Sequence, residues 1–364
     1  MFSSFITSTL LLIHTYRFNC NESIFQYTHY QPENSLTCIR DSIPHPEWKD
    51  HYIYLFRPVE KRNKYPVIFF CHGITADNPT IYEAFIRHMV SRGYAVIYSP
   101  YPTGCSYFFP CWSYKILWNG FVKGVSVWKT FLDLRNIGFV GHSYGAGAVP
   151  SLARKAIVFN GWGKERAFLY IMAPWYVHGI SQRQLRHFPG HVKVIVEVFA
   201  DDRINDHRIG KDIYLSIGVP DTSKVFCVLS ADVSQKGLLA GHDVPVGESE
   251  SSLSVNDFDF CGVYFVFDAI SSYSSNPSAG GARFRHEDRT YLVKGPLGNF
   301  CRINTFRKPV MERTQSVCVN FWSHAMNPRR KFYNHIGEPL RMLLSTPETV
   351  INYGTLAMIV IGGR

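Results

Sequence analysis

From Tyr52 onward, short apolar runs alternate with amphipathic or loop stretches. Pro66-Val67-Ile68-Phe69-Phe70-Cys71 is apolar throughout, which suits a strand buried on both faces of a parallel sheet. Over residues 80–92 the spacing changes: Ile81, Phe85, Met89 and Val90 fall on one side of a helix, and Gly93 ends it. Residues 94–98 then read as the next strand. Runs at 137–140, 168–172, 194–199 and 225–229 continue the series, with 225–229 as its last strand, and 52–56 precedes it. Residues 99–114 read as a loop, 115–133 as a helix, and 257–273 as a C-terminal helix packed on the sheet. Strands that alternate with helices predict an α/β fold with a mostly parallel central sheet flanked by helices. In such sheets ligands bind beyond the carboxyl ends of the strands.

Composition narrows the class without naming a chemistry. The apolar fraction of 46% and charged fraction of 18% suit a large core and exclude a disordered chain. The net charge of +10 is compatible with an anionic partner. No zinc-finger spacing, RNA-recognition signature or long basic run is present, the densest being Arg329-Arg330-Lys331, so nucleic acid is not expected. Nine cysteines without a CxxC are too sparse for a disulfide scaffold. Cys71 and Cys227 sit in apolar runs and read as core; Cys105 and Cys111 are placed to pair across a loop if the protein is exported. The apolar stretch Phe5–Ile13 has the length of a signal-peptide core, but no Lys or Arg precedes it and no A-x-A site follows. Localisation therefore stays open between export and the cytoplasm. No apolar run reaches the roughly 18 residues of a spanning helix, so no membrane span is expected.

Candidate chemistry centres on Gly141-His142-Ser143-Tyr144-Gly145, a G-x-S-x-G pattern. As a bare pattern it is common, and an ordinary glycine-rich turn competes with it. Its context raises it: an apolar strand runs directly into it and an Ala-rich helix leaves it. A serine in such a turn needs small residues two before and two after, so that neighbouring backbones can approach. The helix that starts there also aims its N–H groups at developing negative charge.

Gly141 to Gly147 resembles the nucleophile elbow of the α/β-hydrolase family, and His72-Gly73 matches that family's oxyanion-loop strand end. With Ala173-Pro174 after a later strand, the wording is similar to the dienelactone hydrolase, chlorophyllase and platelet-activating-factor acetylhydrolase branch. The resemblance covers about residues 50–275. It leaves an N-terminal segment, 1–49, and a C-terminal extension, 276–364, without an assigned role. It implies Ser143 as nucleophile and a histidine base beyond the last strand, where Gly241-His242 stands. His286, His324 and His335 compete for that role, and His142 counts as a spacer. The acid follows strand 194–199, where Asp201 and Asp202 stand side by side. Asp202 fits the family's loop better, while Ala200 in place of a common glycine keeps Asp201 open. The oxyanion donors implied are the N–H groups of Tyr144 and Ile74, with Thr75 as the alternative to Ile74. No cofactor or metal is implied.

The implied activity is that of a serine hydrolase cleaving carboxylic esters through an acyl-enzyme. A catalytically silent binding protein and an acyltransferase on the same fold are the alternatives. About twenty residues separate the strand ending at Met172 from the one starting at Val192, which leaves no room there for a large cap domain. With the aromatic loop Tyr101–Tyr114 at a strand's carboxyl end, the expected partner is a small-molecule ester with an apolar acyl or aryl group of short or medium length.

Overall fold

The computed structural model describes residues 22–26, 38–60, 62–103, 109–231, 239–246, 256–275, 288–310, 320 and 322–328. Its strands are β1 (Glu22–Gln26), β2 (Cys38–Pro44), β3 (Tyr52–Pro58), β4 (Tyr65–Cys71), β5 (Ala95–Tyr98), β6 (Leu132–His142), β7 (Arg166–Met172), β8 (Lys193–Phe199), β9 (Lys224–Ala231), β10 (Arg289–Lys294) and β11 (Phe300–Phe306). They form one sheet in the order β1-β10-β11-β9-β8-β7-β6-β4-β5-β3-β2. From β5 through β4, β6, β7 and β8 to β9 every pairing is parallel, whereas β2–β3 and β3–β5 are antiparallel. The helices are α1 (Glu83–Ser91), α2 (Pro110–Trp128), α3 (Ser143–Arg154), α4 (Gln182–Arg186), α5 (His207–Ser216) and α6 (Phe265–Ser275).

Period-2 alternation in the apolar strands supplies both faces of the sheet with core residues. Val67, Phe69 and Cys71 of β4 join one cluster with Leu117 and Phe121 of α2, Leu152 of α3 and Ile209 of α5. Ile68 and Phe70 join the other, with Phe85 and Met89 of α1 and Phe267 and Ile270 of α6. Phe69 is fully buried and packs its ring on Phe121, Phe139 and Trp162 at 5.2, 4.9 and 5.3 Å. Layers of helix on both sides of a largely parallel sheet, with the serine turn at the end of β6, make this an α/β-hydrolase-like fold. The connection from β7 to β8 holds only the five-residue α4, so no cap domain sits there. Among the described residues no helix is long and apolar enough to cross a membrane.

Three sequence expectations are corrected. Helix α2 begins at Pro110, inside the stretch read as loop, because proline pre-sets the backbone angle of a first helical position. Strand β9 is not the last: β10 and β11 follow and pair antiparallel, with β11 against β9. Helix α6 is preceded by a π-type segment over Asp259–Tyr264, so its helical register changes within the span read as one helix. Strands β1 and β2 lie before residue 50 and β10 and β11 after 275, so the flanking segments extend both edges of the same sheet. Cys71 and Cys227 are buried free thiols, and Cys111 is exposed; Cys105 lies outside the described residues. So does the apolar run Leu356–Ile361, read from the sequence as a strand or packed tail.

Candidate active site

Ser143 is the first residue of α3, directly after β6, with φ +55°. This left-handed backbone is costly for a residue with a side chain and persists because the surroundings enforce it. The flanking glycines explain how. A Cβ on Gly145 would lie 2.1 Å from the Cys71 carbonyl oxygen, and one on Gly141 would lie 2.6 Å from Val149 Cγ2. The turn thus packs backbone to backbone against the end of β4. The Ser143 carbonyl accepts the Trp175 N–H at 2.9 Å, which ties the turn to the loop after β7.

The acid loop leaves β8 and returns on itself. Asp202 Oδ1 accepts the N–H groups of Ile204 and Asn205 at 2.7 and 2.9 Å, so Oδ2 is left to face His242 Nδ1 at 2.8 Å. Nδ1 therefore carries the proton, and the Nε2 lone pair accepts the Ser143 hydroxyl at 2.8 Å. Burial alone would raise the Asp202 carboxyl, but His242 and the Asn205 and Ile204 N–H groups outweigh it and hold it below the usual range. For His242 burial opposes charge, yet the Asp202 carboxylate and its hydrogen bond, with Asp243 beyond, raise its pKa above 6.5.

Asp201 has a different task. Its carboxylate accepts the Ala240 N–H at 2.9 Å while its own N–H bonds the Ala240 carbonyl at 2.9 Å, so it anchors the histidine loop two residues before His242. The N-cap of α5 is a third aspartate, Asp206, which accepts the Arg208 N–H at 2.9 Å. Of the competing histidines, His324 donates its backbone N–H to Asp206, while His286 and His335 lie outside the described residues.

Gly73 borders the serine closely: a Cβ there would lie 3.5 Å from Ser143 Cβ. In the loop that follows, the Thr75 N–H is committed to Thr103 Oγ1 at 2.7 Å, and the Thr75 hydroxyl donates to the Ile74 carbonyl. Neutral His72, pushed down to about 4 by burial, braces this loop by donating Nδ1–H to the Gly73 carbonyl and accepting the Tyr101 N–H. The Tyr144 N–H lies in the first turn of α3, at the positive end of the helix dipole. Tyr101 and Tyr114, read from sequence as possible pocket walls, are buried instead. They pack against Tyr144 at 6.0 and 5.3 Å, and the Tyr114 hydroxyl donates to the Tyr144 carbonyl.

Sequence reasoning missed a strap from the C-terminal extension. Asn320 Nδ2 donates to the Asp202 carbonyl at 2.9 Å, the Trp322 N–H bonds the Ile204 carbonyl, and the Asp206 N–H bonds the Trp322 carbonyl. Buried Trp322 packs on Trp175 at 5.4 Å, and Trp175 stacks on Tyr144 at 4.8 Å. Asn320 and Trp322 therefore clamp the Asp202 loop from outside. The only sequence signal was a pair of aromatics between polar residues, Asn320-Phe321-Trp322-Ser323, which carries no motif.

No protein-family model matches the chain, and no curated protein matches it. Among the solved structures that do match is carboxyl esterase 2 of the mycorrhizal fungus Tuber melanosporum. The two superpose with a TM-score of 0.42 at 16% identity, over 56% of this chain and 80% of that one.

Proposed function

We propose that the protein is a serine hydrolase of carboxylic esters. The observation that supports this most is the unbroken line of hydrogen bonds from Asp202 through His242 to Ser143, ending on a serine held in a left-handed turn at a helix N-terminus. Ser143 Oγ attacks the ester carbonyl as His242 Nε2 takes its proton, and the Asp202 carboxylate stabilises the imidazolium. The N–H groups of Tyr144 and Ile74 hold the oxyanion; one such donor is worth roughly 100- to 1000-fold in rate. Collapse of the tetrahedral intermediate breaks the C–O bond, His242 returns its proton to the leaving alcohol, and the acyl group stays on Ser143 Oγ. Water, activated by the same imidazole, then releases the acid.

With only α4 between β7 and β8, esters of short or medium acyl length are the proposed substrates. A panel of p-nitrophenyl esters of increasing chain length, with fluorophosphonate labelling, tests the reading. Labelling at Ser143 and turnover of soluble short esters are expected. A folded protein that neither labels nor hydrolyses any ester is a binding protein, and preferential transfer to alcohol acceptors over water makes it an acyltransferase.

A further inference from the structure

The residue before the serine does more than fill a place in the motif. His142 is buried, and its ring is hydrogen-bonded at both nitrogens by groups from two distant parts of the chain. Its Nε2 lies 2.9 Å from the backbone carbonyl of His242, an oxygen that only accepts, so Nε2 carries the proton. In the neutral ring Nδ1 is then a lone pair, and the Tyr82 hydroxyl donates to it at 2.8 Å. The Tyr82 oxygen in turn accepts the Gly73 N–H at 3.1 Å. Every donor and acceptor in this line has a single assignment, running from the loop after β4, through Tyr82 and His142, to the carbonyl of His242.

We propose that His142, held in its Nε2–H form by the His242 carbonyl and oriented by Tyr82, is a positioning residue that fixes the His242 loop relative to Ser143 and to the Gly73–Ile74 loop. The proposal rests on the reading of Ser143, His242 and Asp202 as a catalytic triad. Its chemistry requires His142 to stay neutral. A protonated ring would deprive the Tyr82 hydroxyl of its acceptor and set a cation beside the His242 ring, whose centroid is 4.9 Å away. Burial, aided by the neighbouring His242, pushes the His142 pKa down to about 3, against the opposing pull of its bond to the His242 carbonyl and of Asp202. Burial likewise keeps the Tyr82 hydroxyl protonated, reinforced by Asp243 and opposed by its bond from Gly73. The relay is therefore set over the whole range in which His242 changes charge, and it does not itself titrate there.

The geometry also explains why a histidine suits this position. The line must span from Tyr82 to His242 with a donor at one end and an acceptor at the other. A glutamine amide reproduces the donor; alanine reproduces neither.

The test compares His142→Ala, His142→Gln and Tyr82→Phe with the wild-type full chain on a soluble p-nitrophenyl ester. Displacing a reacting group by about 1 Å costs on the order of 100-fold, so His142→Ala should lower kcat roughly 10- to 100-fold with KM within about twofold. His142→Gln should recover most of that loss, and Tyr82→Phe, which removes the anchor at Nδ1 and leaves the Gly73 N–H without its partner, should lower kcat several-fold. A second readout is the low-field proton resonance of His242 Nδ1–H. It should persist in wild type and His142→Gln and be lost to exchange in His142→Ala. Folded His142→Ala with kcat near wild type overturns the proposal, as does an equal loss in the alanine and glutamine variants. Should His142→Ala not fold, an unchanged kcat in Tyr82→Phe overturns it instead. If the wild type hydrolyses no ester, the catalytic reading fails by itself. The resonance then decides the positioning claim separately, and its survival in His142→Ala refutes that claim.

Discussion

Two buried histidine–aspartate pairs sit among the described residues, and they behave in opposite ways. His242 Nδ1 meets Asp202 at 2.8 Å, and His88 Nε2 meets Asp268 at 2.9 Å between α1 and α6. The His242 pKa is raised and the His88 pKa is lowered. Burial disfavours the charged ring in both, so the difference lies in what else the carboxylate holds. Asp268 also binds the Arg92 guanidinium through both oxygens, and its carboxyl is held at about 2, burial being outweighed by His88 and Arg92. Its charge is already matched, so protonating His88 would leave a net buried cation. Asp202 Oδ1 is held by backbone N–H groups, which orient it without neutralising it, so a protonated His242 completes a neutral pair. The far nitrogen differs as well. His242 Nε2 faces a serine hydroxyl, while the His88 ring stacks on Tyr264 at 4.4 Å. On the proposed reading His242 serves as a base because no cation competes for Asp202 and a serine hydroxyl is within reach, whereas the His88–Asp268 pair is a clamp between helices.

The largest expected effect breaks the first pair's output. Ser143→Ala should abolish ester turnover and probe labelling while the circular dichroism spectrum stays native; persistent turnover in the folded variant removes the serine from the chemistry. Next, Asp202→Asn should lower kcat/KM roughly a thousandfold or more through loss of the correct tautomer. Asp201→Asn should stay within about tenfold, because its amide oxygen can still accept the Ala240 N–H. A crippled Asp201→Asn beside an active Asp202→Asn would exchange their roles.

Asp268→Asn should show the reverse profile. Losing the buried carboxylate leaves Arg92 unmatched and should cost about 3 kcal/mol, at the lower end for a broken buried pair because Arg92 is partly exposed. Activity per folded molecule should remain within about twofold. Urea titration and kcat/KM together decide this, and a large rate loss at native stability would contradict the clamp assignment.

Two smaller effects are read as shifts. Only neutral His242 accepts the serine proton, so kcat/KM should rise with pH through a midpoint above 6.5; a midpoint below 6.5 would mean that Asp202 does not govern the ring. In the second pair, Arg92→Leu removes the cation that lowers His88, so its pKa should move upward in an NMR titration, toward the behaviour of His242. No movement would show that burial alone sets it.

Much of this arrangement was legible in the chain. Continuous apolar runs marked β4 to β9, because a strand buried on both faces needs apolar residues at every position. The strands outside the parallel core escaped notice for the converse reason. In β2 exposed Arg40, Ser42 and Pro44 alternate with half-buried residues, and in β11 half-buried Arg302 and Asn304 alternate with buried ones, so polar residues interrupt the apolar run and leave too weak a local signal. The G-x-S-x-G turn marks Ser143, the family resemblance implies Asp202 and His242, and the fold brings the three side chains within hydrogen-bond distance.

What the sequence by itself determined is therefore local: where strands and helices alternate, where a glycine-flanked serine must turn, and which loops carry histidine and aspartate. These follow from periodicity and from sterics among near neighbours. Only the tertiary structure decided which of two adjacent aspartates faces the imidazole, that His142 is tied to Tyr82 sixty residues away, and that Asn320 holds Asp202 across 118 residues. A hydrogen bond depends on where two backbones arrive in space, and over such separations that position is set by the packing of the whole sheet, not by the residues on either side.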